Sequence, residues 1–156
     1  MRPIFLFDLD ETVIDSTHRQ GETLSDWRRM NTPANVMRDS TLPLASTMIR
    51  AISEGLDVGI LTSRVMGKVD RVWLHMRGML PRTILSRDIE DLREPGAFKL
   101  AKVHHLAHLR GESFESIAKR VILWDDNKSV QNTLKAAGIR VINPVSYNQF
   151  KKGLER

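Results

Sequence analysis

An α/β fold, Rossmann-like with three layers and a parallel sheet of about five strands between helices, is what this chain predicts. Short apolar runs alternate with amphipathic stretches, which is the pattern of a sheet covered on both faces. The amphipathic stretches close on glycines, as helices do. Two of the apolar runs, Ile4-Phe5-Leu6-Phe7 and Val121-Ile122-Leu123-Trp124, end in paired acids, and in open α/β sheets ligands bind at the carboxyl ends of strands.

The first strand is expected near residues 3–8. Its apolar start could be taken for a targeting segment, but Asp8, Asp10 and Glu11 interrupt it far too early, so it reads as a buried strand of a cytoplasmic protein. Residues 15–43 then break the rhythm with Gly21, Pro33 and Pro43, and only Leu24 to Met30 has a weak helical pattern. Long irregular segments in small domains are often functional, so this one is a candidate flap or small cap, with a plain surface insertion as the alternative. A helix from Leu44 to Glu54 closes on Gly55 and leads to a strand at 57–62. Lys68 to Arg77 closes on Gly78 before a strand at 83–86, and Phe98 to Leu109 closes on Gly111 before one at 120–125. Ser129 to Ala137 closes on Gly138 before the last strand at 139–142, and Ser146 to Arg156 forms a terminal helix with a basic exposed face. At 156 residues this is enough for one domain with a substantial core.

Composition limits the chemistry. A hydrophobic fraction of 41% with 28% charged residues is that of a soluble globular chain, and no apolar run approaches the roughly 20 residues of a membrane span. The chain has no cysteine, which excludes disulfides, thiolate catalysis and zinc–thiolate sites and leaves carboxylates, histidines and hydroxyls. A net charge of +5 and a pI near 9.9 suit a polyanionic partner.

Asp8-Leu9-Asp10-Glu11-Thr12 sets two carboxylates at the end of the first strand, on one side by period-two alternation. Close carboxylates repel unless a cation or a shared proton intervenes. Asp125-Asp126 repeats the pattern at the end of the fourth expected strand. If the two strands are neighbours their ends lie about 5 Å apart, close enough for one oxygen-ligand pocket suited to Mg²⁺. Thr62-Ser63-Arg64, at the end of another strand, offers hydroxyls, amides and a guanidinium for phosphate oxygens, while a helix cap is the structural alternative for Thr62 and Ser63. Lys99, after the Arg93-Glu94-Pro95-Gly96 loop, could supply a fixed positive charge, with Lys102 one turn away as the substitute.

The order Asp8-Leu9-Asp10-x-Thr12, Thr62, Lys99, Asp125-Asp126 resembles the haloacid-dehalogenase superfamily of phosphotransferases over essentially the whole chain. The resemblance implies that Asp8 attacks phosphorus, that Asp10 protonates the leaving oxygen and then activates water, and that Thr62 and Lys99 bind the transferring phosphoryl group. It also implies Mg²⁺ held by the Asp8 side chain, the Asp10 main-chain carbonyl and an acid of the last motif, Asp126 or Asp125. Within the superfamily the chain is closer to the 3′-phosphatase domains of phage polynucleotide kinases, whose arginines match Arg19, eleven residues after Asp8, and Arg64, two after Thr62. An acid which those domains carry four residues before the lysine is replaced here by Pro95, with Glu94 and Glu90 nearest. There is no Gly-x-x-x-x-Gly-Lys-Ser/Thr loop, so no kinase activity is expected.

Other residues have competing explanations. His104, His105 and His108 share a helix and could ligate zinc, though a solvated helix face is the commoner outcome. Trp73 and Trp124 read as core residues, whereas Trp27 in the candidate flap is placed to stack on a base. The substrate expectation is a phosphorylated nucleic-acid end or a nucleotide. Removal of a terminal 3′-phosphate in end repair is the first reading, with Arg19, Ser63 and Arg64 binding the substrate. A nucleoside monophosphate phosphatase closed by segment 15–43 is the alternative, and a catalytically silent nucleic-acid-binding module is a third.

Overall fold

The computed structural model describes residues 1–154. In chain order its elements are β1 (Ile4–Phe7), β2 (Ile14–Asp15), α1 (Leu24–Met30), α2 (Pro33–Met37), β3 (Ser40–Thr41), α3 (Leu44–Ser53), β4 (Val58–Leu61) and α4 (Lys68–Met76). There follow β5 (Thr83–Leu85), α5 (Pro95–Arg110), α6 (Phe114–Arg120), β6 (Val121–Trp124), α7 (Lys128–Ala136), β7 (Arg140–Ile142) and α8 (Val145–Leu154). Five strands form one parallel sheet in the order β5-β4-β1-β6-β7, the architecture the apolar runs predict. No helix among the described residues is long and apolar enough to cross a membrane.

Strand β1 is the central strand, and its side chains alternate between two cores. Ile4 and Leu6 pack with Leu61, Leu123, Val103, Ile117 and Leu134 on one face. Phe5 and Phe7 turn to the other, against Ile60, Leu44, Met48 and Trp73. A strand buried on both sides has no polar positions to spare, which is why it reads as an unbroken apolar run.

The structure adds detail where the sequence signal is short. Helix α5 begins at Pro95 rather than Phe98: proline suits the first helical position, and the Glu94 carboxylate accepts hydrogen bonds from Gly96 N at 3.1 Å and Ala97 N at 2.7 Å. Helix α6, capped by Ser113, was not foreseen, because its seven residues bury only Ile117 and Ala118. Segment 15–43 contains a second short helix, α2, with Pro33 in its first turn and Thr32 as cap. Its ends are tied by the antiparallel pair β2–β3, Ile14 opposite Thr41 and Asp15 opposite Ser40.

Helix α8 forms where a terminal helix is expected; residues 155 and 156 of that expectation lie outside the described residues. Its buried Asn148 accepts a hydrogen bond from Leu44 N at 2.8 Å and donates one to Thr12 O at 3.0 Å. One amide thereby satisfies the first free N–H of α3 and anchors the loop that follows β1.

Candidate active site

Three strand ends lie side by side. Asp8 N donates to Trp124 O at 2.9 Å, Asp125 N to Ile142 O at 3.1 Å and Thr62 N to Leu85 O at 2.9 Å, so each ladder continues one residue past its strand. The fourth contributor comes from the helical layer. Gly96, in the first turn of α5, sits so close to α7 that a Cβ there would lie 2.5 Å from Thr133 Oγ1 and 2.9 Å from Ser129 O. Glu94 bonds the Ser129 hydroxyl across the same contact. Seated in this way, α5 directs the buried Lys99 at the strand ends: its Nζ donates to Asp8 Oδ1 at 2.8 Å and to Asp125 Oδ2 at 2.5 Å. Lys102 points elsewhere, 3.8 Å from Asp88.

Carboxylate oxygens of Asp8, Asp125 and Asp126 lie within 4.8 Å of one another. Both acids of the second pair therefore reach the cluster, and Asp125, one of the two alternatives, is the one bonded to Lys99. Asp8 Oδ2 also accepts from Thr12 Oγ1 at 3.2 Å, and Asp125 Oδ1 accepts from Asn127 N at 2.8 Å. Burial, then repulsion from Asp125, pushes the Asp8 carboxyl well above the usual carboxylate range, against the pull of Lys99. Asp126 is raised for the same two reasons. Burial alone would lower Lys99, but Asp8 and Asp125 outweigh it and hold the ammonium charged. Three carboxylates facing one ammonium leave negative charge uncompensated, and an all-oxygen donor set with that excess fits a hard divalent cation such as Mg²⁺. Asp8, Asp125 and Asp126 are the side chains available to hold it.

Asp10 lines the same pocket but bonds in another direction. Its Oδ1 accepts from Arg64 Nη2 at 2.6 Å and Ser16 Oγ at 2.7 Å, and its Oδ2 from Arg64 Nε at 3.2 Å. The chain leaves the extended conformation after β1 and Glu11 takes a positive φ of 61°, so the same-side geometry expected for the two acids gives a shared pocket with separate partners. Burial would raise the Asp10 carboxyl, but the Arg64 guanidinium overrides it and the group lies below its ordinary range. Arg64 also donates to Asp70 Oδ1 at 2.6 Å and to Asp39 Oδ2 at 3.2 Å. Arg19 grips Asp39 with two bonds of 2.8 Å and Asn31 with one of 3.0 Å. Both arginines, expected to bind substrate, are thus fully buried and bonded to internal carboxylates.

Asp39 and Asp70 escaped the sequence reading. Asp70 also receives Gly67 N at 2.7 Å at the start of α4, a capping pattern that gives no hint of the arginine beyond it. Thr62 is buried and its hydroxyl accepts from Arg64 N at 3.0 Å, whereas Ser63 lines the pocket.

The acidic pocket has a volume of about 240 Å³ and includes Asp8, Lys99, Asp125 and Asp126. It shares Asp10, Gln20, Ser63, Pro95 and Asn127 with a larger cleft of about 610 Å³. The lining of that cleft draws Gly21, Thr23 and Trp27 from segment 15–43 and Arg87, Leu92 and Arg93 from the loop before α5. Arg87 lies over the Phe98 ring at 4.4 Å and donates to Ser63 O at 3.0 Å, Asp91 O at 2.8 Å and Arg93 O at 2.8 Å, so a single buried guanidinium shapes that loop. The Arg28 guanidinium bonds Ile89 O and joins α1 to the same loop.

The remaining candidates fall outside the site. His104, His105 and His108 are exposed, and His104 stacks on Phe114 with centroids 3.9 Å apart. Among the described residues the metal-binding grouping is the aspartate one. Trp73 is buried and donates to Asp39 O at 3.3 Å, and Trp124 packs beside Tyr147 with ring centres 6.4 Å apart.

A family model described as bacteriophage T5 5′-deoxynucleotidase matches residues 1–152. No curated protein sequence matches the chain. Among solved structures, the chain is similar to a haloacid dehalogenase-like hydrolase from Streptococcus pneumoniae, with a TM-score of 0.66 at 11% identity, covering 90% of this chain and 83% of that one. A haloacid-dehalogenase-superfamily hydrolase of subfamily IA from Geobacter sulfurreducens gives a TM-score of 0.62 at 10% identity, covering 90% and 85%. A chain of an RNA repair complex gives 0.64 at 21% identity, covering 91% of this chain and 42% of the other. These likenesses establish the haloacid-dehalogenase fold.

Proposed function

The chain belongs to the bacteriophage T5 5′-deoxynucleotidase family, and on that premise we propose that it is a Mg²⁺-dependent phosphatase that hydrolyses deoxynucleoside 5′-monophosphates through an aspartyl-phosphate on Asp8. The observation that carries the reading is the two-part cavity: a small acidic pocket around Asp8 and Lys99 that shares its lining with a cleft of about 610 Å³. One part suits a phosphoryl group, and the other is of the size that holds a small organic ligand.

In this reading Asp8 attacks phosphorus, the bond from phosphorus to the 5′ oxygen breaks, and that oxygen takes a proton from Asp10. Asp10, again a carboxylate, then removes a proton from water as it attacks the acyl phosphate, which releases inorganic phosphate and regenerates Asp8. Arg64 favours the ionised form of Asp10, the form the second step requires. Lys99 and the Thr62–Ser63 turn hold the phosphoryl oxygens. Mg²⁺, held by Asp8, Asp126 or Asp125 and the main-chain carbonyl of Asp10, would neutralise the phosphate so that one anion can approach another. Segment 15–43 acts as the cap that closes the nucleoside end and excludes water.

End repair at a 3′-phosphate draws less support. Arg19 and Arg64, the residues that suggested it, spend their hydrogen bonds on Asp39, Asp10 and Asp70, and the likeness to the RNA repair chain is one of fold. A silent binding module has no use for a buried lysine bridging Asp8 and Asp125. The deciding experiment is Mg²⁺-dependent phosphate release from the deoxynucleoside 5′-monophosphates, a 3′-phosphorylated oligonucleotide and its 5′-phosphorylated counterpart. The expected result is release from the monophosphates, absent in Asp8→Asn; preference for the 3′-phosphorylated oligonucleotide would replace this reading with end repair.

A further inference from the structure

Trp27 is the aromatic side chain that lines the large cleft, and the phosphate chemistry makes no use of it. Two guanidinium groups lie over its indole: the Arg19 guanidinium carbon is 4.8 Å from the ring centre and that of Arg64 6.0 Å, within reach of a cation–π attraction. Neither guanidinium is free to move, since Arg19 is fixed by Asp39 and Asn31 and Arg64 by Asp10, Asp39 and Asp70. A half-buried ring held in this way gives the cleft a fixed aromatic surface. In the same lining Leu92, 69% exposed, supplies an apolar group on the loop that Arg87 shapes. Of the polar side chains in the same lining, Gln20, Glu22, Thr23 and Arg93 are exposed, and Gln20 Nε2 already donates to Glu11, whereas the buried Arg64 and Arg87 donate to carboxylates and to main-chain carbonyls of the protein itself. The exposed groups are not fixed as reading the edge of a particular base requires, and the buried ones are engaged within the protein.

Building on the nucleotidase reading, we propose that Trp27 is the platform on which the nucleobase stacks, and that it accepts the four bases alike. Stacking tolerates any base, because every base presents a π face, whereas discrimination needs fixed donors and acceptors.

The test compares kcat/KM for the four deoxynucleoside 5′-monophosphates with that for 2-deoxyribose 5-phosphate, which lacks the base. Trp27→Ala should shrink the preference for base-bearing over baseless substrate by on the order of 10- to 100-fold, through KM, to a similar extent for all four bases. Trp27→Phe should retain most of the preference. Equal loss on both kinds of substrate would overturn the platform and make Trp27 a structural residue, and loss confined to one base would overturn its tolerance. Absence of phosphate release from every substrate by the wild-type protein would instead overturn the nucleotidase reading beneath it. At equilibrium, adding deoxyadenosine 5′-monophosphate to Asp8→Asn should quench indole fluorescence, and the Asp8→Asn, Trp27→Phe double variant should lose that quenching; quenching that persists counts against the platform.

Discussion

Asp8 and Asp10 stand two residues apart at the end of one strand, yet they belong to differently built clusters. Burial pushes both carboxyl groups upward; at Asp8 the charge of Asp125 adds to it, whereas at Asp10 the Arg64 guanidinium overrides it. Around Asp8 three carboxylates meet one ammonium. Around Asp10 two arginines are distributed over Asp10, Asp39 and Asp70. The first cluster has two more carboxylates than cations, and the second has one more. The comparison teaches that paired acids in sequence do not have equivalent surroundings: one sits in an acidic cluster that fits a divalent cation, and the other is held in place by partners from the rest of the chain.

The largest effect on this contrast should come from Asp8→Asn, which removes the proposed nucleophile. Turnover should fall by on the order of 10³-fold or more, while the melting temperature in chelator stays at or above that of the wild type because a repelling charge has gone. Activity near the wild-type level would sink the nucleophile assignment.

Removing the cation from either cluster should cost stability. Lys99→Met strands Asp8 and Asp125, and Arg64→Ala strands Asp10 and Asp70. Loss of one partner from a buried ion pair costs about 3–5 kcal/mol, measurable by denaturant unfolding. The two variants should differ in rescue: Mg²⁺ should recover part of the stability lost in Lys99→Met and none of that lost in Arg64→Ala.

Metal addition gives the next effect. With folded-state values raised, Asp8 and Asp126 contribute stability that is full below the unfolded carboxylate range near pH 4 and is lost as pH rises through their folded values. The metal-free protein should therefore gain from Mg²⁺ at neutral pH, by about 2.7 kcal/mol at a hundredfold excess over Kd, and gain little below pH 4. A melting temperature indifferent to Mg²⁺ at neutral pH would remove the metal from this pocket.

The smallest effect lies at the opposite end of the sheet, where Arg110 donates to both oxygens of Asp57, at 2.8 and 2.9 Å. The Arg110 hydrogen bonds hold the Asp57 carboxyl below its ordinary value. Its contribution is present above about pH 4 and lost as pH falls through the lowered value. Arg110→Ala should cost on the order of 1 kcal/mol or less, since the pair is partly exposed. The difference from wild type should vanish in acid, with no change in turnover.

Much of the site was legible because its elements are local. Asp8, Thr62 and Asp125 each end an apolar run, and Lys99 sits just past a proline-glycine helix start. What stayed hidden depends on distance along the chain. Arg19 meets Asp39 twenty residues away and Arg64 meets Asp10 fifty-four away, and no sequence period reports such pairings. Matching both arginines by their offsets singled them out as substrate-binding residues, and only the tertiary structure reveals the carboxylates beside them. Strands β2 and β3, with two residues each, are too short to show alternation, so the ribbon that ties segment 15–43 was unreadable. The expected metal set named one acid of the last motif, Asp126 or Asp125, and only the strand-end register could show that both reach the cluster.

Asn148 gives the molecule a temporal order. During synthesis the strand that leads to Asp8 emerges well before α8, and the loop behind it receives its hydrogen bond to Thr12 O from a residue made 136 positions later. The same side chain satisfies Leu44 N, so a nascent chain that stops short of residue 148 leaves two polar groups of the catalytic end without their buried partner. Completion of the reactive loop thus waits for a late helix, and a ribosome-bound intermediate carries Asp8 without the support that fixes its surroundings.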